Sequence, residues 1–237
     1  HGMTAANNTV LVDGLMVNGL QADGAVQCYF NDAMSTEVSY QTSGIGADTS
    51  SGGVRLNMIP REGGNKFSGS LFTSWRDGAW QSDNFSQDLK DRGLPNASLI
   101  DRIYDVNFSI GGPIKKDKLW FFASARQWSV NAPIAGTFVT DGSGPAIAAC
   151  LAAARTSSPC EQGIDDQKIK SALVRLTWQV SPRNKFAAYF DEIDKFRGHA
   201  MFAGDDYNTA SVVWNSPAYH TGSAKWTSTL SSRIMLE

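Results

Sequence analysis

The stretch Gly52–Trp75, GGVRLNMIPREGGNKFSGSLFTSW, holds the change of pattern that decides the fold. Val54–Ile59 has the β-branched and apolar content of a short buried strand, with Asn57 in its middle. Pro60 ends that run, because a proline cannot donate to a sheet ladder. Gly63, Gly64 and Asn65 tolerate the positive φ that a sharp reversal needs. From Phe67 the pattern becomes Phe-Ser-Gly-Ser-Leu-Phe-Thr-Ser-Trp, a long strand polar at every second position for most of its length. A compact, glycine-punctuated segment gives way to a different β-structure. The expected domain boundary therefore falls at residue 64.

Upstream of the boundary, Thr9–Val12 reads as a strand, Asp13-Gly14 as a tight turn and the next residues as a second short strand. Glu37–Thr42 is a further strand, and the glycine-rich link from Gly44 to Gly53 leads back to the opening stretch. Residues 1–64 are expected to form a small α+β unit. Downstream, Ile103–Ile110 alternates cleanly, with Tyr104, Val106, Phe108 and Ile110 on one face and Asp105, Asn107 and Ser109 on the other. Ile169–Val180 alternates in the same way, with Ala172, Val174, Leu176, Trp178 and Val180 against Ser171, Arg175, Thr177 and Gln179. Leu119–Val130, Phe186–Phe190 and Ser223–Leu230 complete six expected strands over residues 65–237. A short helix is expected around Ala146–Ala154. The connections run long, short, long, short, long, short: 76–99, 111–118, 131–167, 181–184, 197–221 and 231–233.

Composition narrows the function. The 237 residues can bury one large core or two small ones, and a net charge of −2 with both signs interspersed gives no footprint for nucleic acid. No apolar run approaches the ~20 residues of a membrane-spanning helix, and no signal peptide is visible. The chain is expected to be an internal piece of a longer protein. Cys150 and Cys160 lie ten apart and can close a small disulfide loop in an oxidising compartment, with three unpaired thiols (Cys28 included) as the alternative. With three histidines, none at ligand spacing from a cysteine, no metal site is expected.

A strand with one apolar and one polar face is half-buried. Short turns at one end of a sheet and long loops at the other are the habit of outer-membrane barrels, whose strands need ~9–11 residues to cross the apolar layer. Trp75, Trp120, Trp128 and Trp178 lie near strand ends, where tryptophan favours the lipid–water boundary. A soluble antiparallel sheet with ordinary solvent faces satisfies the alternation alone, so a soluble secreted β-rich carbohydrate-binding or adhesion module is the alternative.

VLVDGLMVNG (10–19), STEVSYQTSG (35–44), SGGVRLNMIPREGGNKFSGSLF (51–72) and FSIGGPIKKDKLWFFAS (108–124), in that order, resemble TonB-dependent outer-membrane receptors, most closely the Oar-like subgroup. The resemblance implies a mainly β chain: the C-terminal half of a small α+β plug, then the first six or so antiparallel strands of a large transmembrane barrel of the bacterial outer membrane. It implies energised uptake of a large or scarce ligand, with the TonB complex of the inner membrane, outer-membrane lipid and an unidentified extracellular ligand as partners. No cofactor and no enzymatic activity are expected.

Asp13, Gly14, Glu37, Gly52, Gly53, Asn57 and Arg61 carry the plug motifs under this resemblance. Arg61 is expected at a plug–barrel contact, facing wall carboxylates that are expected to lie outside this stretch of chain. The long connections hold Trp80, Phe85, Phe202, Tyr207 and Trp214, aromatic side chains able to stack on a ligand. Gly44–Thr49 resembles a dinucleotide loop only weakly, because Thr49 replaces its third glycine. Asp191, Glu192 and Asp194 read as a solvated loop rim.

Overall fold

The computed structural model describes residues 7–18, 29–43, 46, 53–154, 160–210 and 213–237. Two sheets are present. The smaller has four strands, β1 (Thr9–Val12), β2 (Leu15–Met16), β3 (Ser35–Gln41) and β4 (Arg55–Pro60), in the order β2-β1-β4-β3. β1 and β4 run parallel, with Val10 opposite Leu56, and β3 runs antiparallel to β4. The turn between β1 and β2 uses Asp13 at φ 52° and Gly14 at φ 82°, the left-handed region that Asp and Gly tolerate best. Asn57 steadies this turn by accepting the Gly14 N–H.

The larger sheet is an antiparallel meander in sequence order. Its strands are β5 (Ser68–Asp77), β6 (Arg102–Lys115), β7 (Leu119–Phe138), β8 (Gln162–Ser181), β9 (Asn184–His199), β10 (Trp214–Ser231) and the three-residue β11 (Ile234–Leu236). The six expected strands are all there and a seventh begins. Their lengths differ from expectation. β7 and β8 have 20 residues each, roughly 65 Å of strand, against a hydrocarbon layer of ~30 Å. The β7–β8 ladder continues through Asn131↔Asp166 and Ala132↔Asp165, where alternation has faded and backbone pairing alone carries the sheet. The short turns shrink to 116–118, 182–183 and 232–233. The connection between β7 and β8 holds helix α2 (Gly144–Ala154), and a five-residue helix α1 (Gln87–Asp91) lies between β5 and β6. No described helix is long and apolar enough to cross a membrane, which says nothing of strands.

The two faces of the large sheet differ in kind. On β8 the outward residues Val174, Leu176 and Trp178 are 52%, 45% and 47% exposed, while the inward Arg175 and Thr177 are 5% and 1% exposed. The pattern repeats on β6, where Val106, Phe108 and Ile110 are bare and Asn107 and Ser109 are covered. The small sheet does the covering. Val12 and Met34 meet Phe122, Leu173 and Tyr189 of the wall, with Val17, Phe30 and Met58 packed around them. Asn31, which caps the one-turn 3-10 helix Asp32–Met34, also accepts a hydrogen bond from the Asn107 amide of β6. Among the described residues no second sheet lies on the apolar face, so the two-layer sandwich of a soluble module is not formed.

The crossing between the sheets is pinned at the short-turn end. Asn65 accepts from the Asp117 N–H and the Trp120 indole N–H, and its own amide donates to the Asp117 carboxylate. A Cβ on Gly63 would lie 2.2 Å from the Phe121 carbonyl oxygen, so only glycine lets this backbone approach the wall.

Candidate functional site at the seam between the sheets

The inward face of the wall and the small sheet enclose a seam with charged groups at both ends. Toward the short turns, the guanidinium of Arg175 on β8 meets Asp13 at 3.4 Å and Glu62 at 3.0 Å, and Lys185 on β9 meets Glu62 at 2.6 Å. β8 places Arg175 there because it pairs with Tyr189 of β9 and points inward with Leu173 and Thr177. Glu62 lies two residues beyond Pro60, the end of β4. Burial works against its ionisation, yet the bonds and charges of Lys185 and Arg175 hold its carboxyl below the ordinary value.

Arg61, whose wall partners are expected outside this chain, bonds to the small sheet here. Its Nε donates to the Ser35 carbonyl at 3.0 Å and its backbone N–H to Met34, so among the described residues its side-chain contact is within the small sheet. The neighbouring Glu62 crosses instead, and the contact has carboxylates on the small sheet and cations on the wall. The sequence places Arg175 on a polar strand face but shows no pairing for it or for Lys185, because their partners lie 113, 123 and 162 residues away. Of the other motif residues, Asp13, Gly14 and Asn57 build the turn described above, and Glu37 is exposed on β3. Gly53 packs so closely on the Asn7 carbonyl that a Cβ would overlap it. Gly52 and most of Gly44–Thr49 lie outside the described residues, as does Cys28.

In mid-seam, Asp191 is 1% exposed, and neither carboxylate oxygen has a hydrogen-bond partner among the described residues. The loop-rim reading of residues 191–194 is thereby corrected. β9 runs on to His199, so Asp191 points inward while Glu192 and Asp194 point out.

Toward the long connections, Arg126 makes a two-toothed bond to Asp105 (3.0 and 2.7 Å) and lies 3.6 Å from Asp32. Arg197 is held likewise by Asp165, and His199 by Asp166 at 2.7 Å. Lys195 differs. Its ammonium sits 4.4 Å from the Tyr29 ring centre and 4.0 Å from that of Trp214.

The five aromatic residues expected in the outer loops fall in three places. Trp80 and Phe85 belong to the β5–β6 connection, where Phe85 lines a hollow of about 640 Å³ with Asp77, Asp101, Leu99 and Pro133. Phe202 and Tyr207 belong to the β9–β10 connection, with Phe202 exposed and the Tyr207 ring tilted against that of His199, centres 3.9 Å apart. Trp214 opens β10 and turns in to Lys195. The β7–β8 and β9–β10 connections are clasped: Asp206 accepts from Thr140 and Thr209, and the Asn208 amide donates to the Thr140 carbonyl. Cys150 and Cys160, at either end of the 151–159 segment, are joined by a disulfide. No group of three or more potential metal ligands occurs among the described residues.

A sheet with bare apolar and covered polar faces is turned inside out relative to a soluble protein, and the comparisons agree with that inversion. The family of outer membrane β-barrel domains matches residues 59–149. Over those residues the chain is similar to outer-membrane barrel wall. The TonB-dependent transporter Oar of Myxococcus xanthus is 32% identical over 127 residues, which cover 52% of this chain and 12% of that protein. A crystal structure of a mutant of the ferric enterobactin receptor PfeA from Pseudomonas aeruginosa superposes with a TM-score of 0.53 at 13% identity, covering 94% of this chain and 31% of the other. The chain thus has the fold of a TonB-dependent outer-membrane receptor, spans a minor part of the length of both relatives, and resides in the bacterial outer membrane.

Proposed function

We propose that residues 1–64 are part of a plug, that residues 65–237 are part of the barrel around it, and that the whole protein takes up a large or scarce ligand with energy passed through TonB. The observation that carries this reading is the seating of the small sheet on the polar face of a wall whose apolar face is bare. A large barrel has a wet interior, and a globular insert must present hydrogen bonds and ion pairs to it as well as apolar patches. The Asn31–Asn107 bond, the Arg175–Glu62 pair and the Val12–Leu173 contact supply all three.

On this reading the clasped connections and their aromatic residues (Trp80, Phe85, Phe202, Tyr207, Trp214) meet the ligand outside the cell. The residues bind and move; they transform nothing. The test is a double-cysteine variant of the full-length protein, Asn31→Cys with Asn107→Cys. In the outer-membrane fraction under mild oxidation the pair should cross-link nearly to completion. An outer-membrane protein in which the two cysteines stay free would refute the seated plug.

A further inference from the structure

Lys195 stands apart from the other cations of the seam. It is 7% exposed, yet among the described residues no carboxylate lies within ion-pairing distance of it, whereas Arg126, Arg175, Lys185 and Arg197 each have at least one. Its partners are two aromatic faces and the Tyr29 hydroxyl at 3.3 Å. A ring quadrupole offsets only part of what a buried ammonium loses on leaving water, and a carboxylate or phosphate would offset far more. Its neighbours Tyr29 and Ile169 line, with Arg126 and Trp128, a hollow of about 260 Å³, from which Lys195 stands one strand away. The sheet register sets Trp128, Ile169 and Lys195 in one row across β7, β8 and β9.

We infer that this hollow binds a ligand through an acidic group on a flat apolar body, with Lys195 taking the charge and Trp128, Ile169 and Tyr29 the ring. Arg126 does not compete for the charge, since Asp105 and Asp32 already surround it. The volume suits one acidic head and one ring system, the recognised end of a larger molecule. Tyr29 belongs to the small sheet's side of the seam and Trp214 to the wall, so a bound acid draws Lys195 away from the ring that ties the two together. The inference rests on the receptor reading and names the chemical class its site selects.

The experiment uses the full-length protein, purified from outer membranes in detergent, with 1-pyrenebutyrate as probe and 1-pyrenebutanol as its uncharged counterpart. Energy transfer from tryptophan to pyrene reports binding. The acid should bind at least tenfold tighter than the alcohol. Lys195→Met should remove that preference while leaving alcohol binding within twofold, and Lys195→Arg should keep it; Lys195→Gln serves if the methionine variant does not assemble. Equal binding of acid and alcohol, no saturable binding of either, or a preference that survives in Lys195→Met and Lys195→Gln overturns the site. Outer-membrane location and the Asn31–Asn107 cross-link, scored on the same preparations, separate failure of this site from failure of the receptor reading.

Discussion

On β8, Ser171, Arg175 and Thr177 are covered while Val174, Leu176 and Trp178 are bare, and β9 repeats the arrangement with Asp191 and Lys195 inside and Phe186, Phe190 and Phe196 outside. In water such a sheet would have its coverage reversed, since apolar area buried is the main driving term. Here no described element covers the outward face, whose apolar side chains take their cover from lipid. The inward face gains from contacts of high chemical definition: an amide pair, an ion cluster and a small apolar patch. One face therefore reads only polarity, and the other reads individual residues.

That contrast breaks most visibly at Leu176, near the middle of the apolar belt of β8. Leu176→Arg in the full-length protein should cost ~2–4 kcal/mol of barrel stability, the range for a cation at the bilayer midplane. The inward Tyr219→Arg on β10 should cost under ~1 kcal/mol, since lumen-facing positions accept charge. Urea unfolding in lipid vesicles, followed by tryptophan fluorescence, measures both. Equal costs at the two positions would mean that the outward face does not meet lipid.

The same contrast explains what could be read from the residues in order. Alternation over Ile103–Ile110 and Ile169–Val180 assigned the faces correctly, because the period of two is set by strand geometry and each belt of five or so apolar residues is a strong signal. Strand ends were illegible. Beyond Asn131 and before Ser223 the ladders continue on backbone bonds between residues with no pattern, so the loops looked longer than they are. The site was half legible. The motif residues Asp13, Gly14 and Asn57 fall together at one turn of the small sheet, but an extended chain points neighbours to opposite sides, and nothing local tells that Glu62 meets Arg175 and Lys185 while Arg61 bonds within its own sheet. Lys195 was hidden for a different reason: its aromatic partners come from two segments far apart in the chain, Tyr29 and Trp214.

The inward face should show its dependence on single residues at Arg175. Among the described residues, Arg175→Met leaves this cluster with the Lys185–Glu62 pair and Asp13 without its cation. Breaking a fully buried pair costs ~3–5 kcal/mol, but Asp13 and Glu62 are partly wetted (20% and 36% exposed), so about 1–3 kcal/mol of seating is expected. The barrel should unfold as before in urea, while single-channel conductance in planar bilayers rises as the small sheet loosens. A variant that conducts no more than the parent would show the ion cluster to be dispensable.

The smallest effect, and the most diagnostic of which charge matters, belongs to Glu62. Its carboxyl titrates below the ordinary carboxylate value in the folded chain, burial being outweighed by Lys185 and Arg175. A group with a depressed folded pKa binds more protons when released, so its contribution is fully present above the released value and fades as pH falls through the lower, folded one. From pH 8 to about 5 seating should therefore not change on account of Glu62. Below about pH 4.5 it should weaken by less than ~1 kcal/mol, the side chain being a third exposed and screened. Glu62→Gln should bring the loosening to neutral pH and erase the difference in conductance between pH 7 and pH 4. If the glutamine variant keeps the acid step in full, the charge on which the small sheet rests is not that of Glu62.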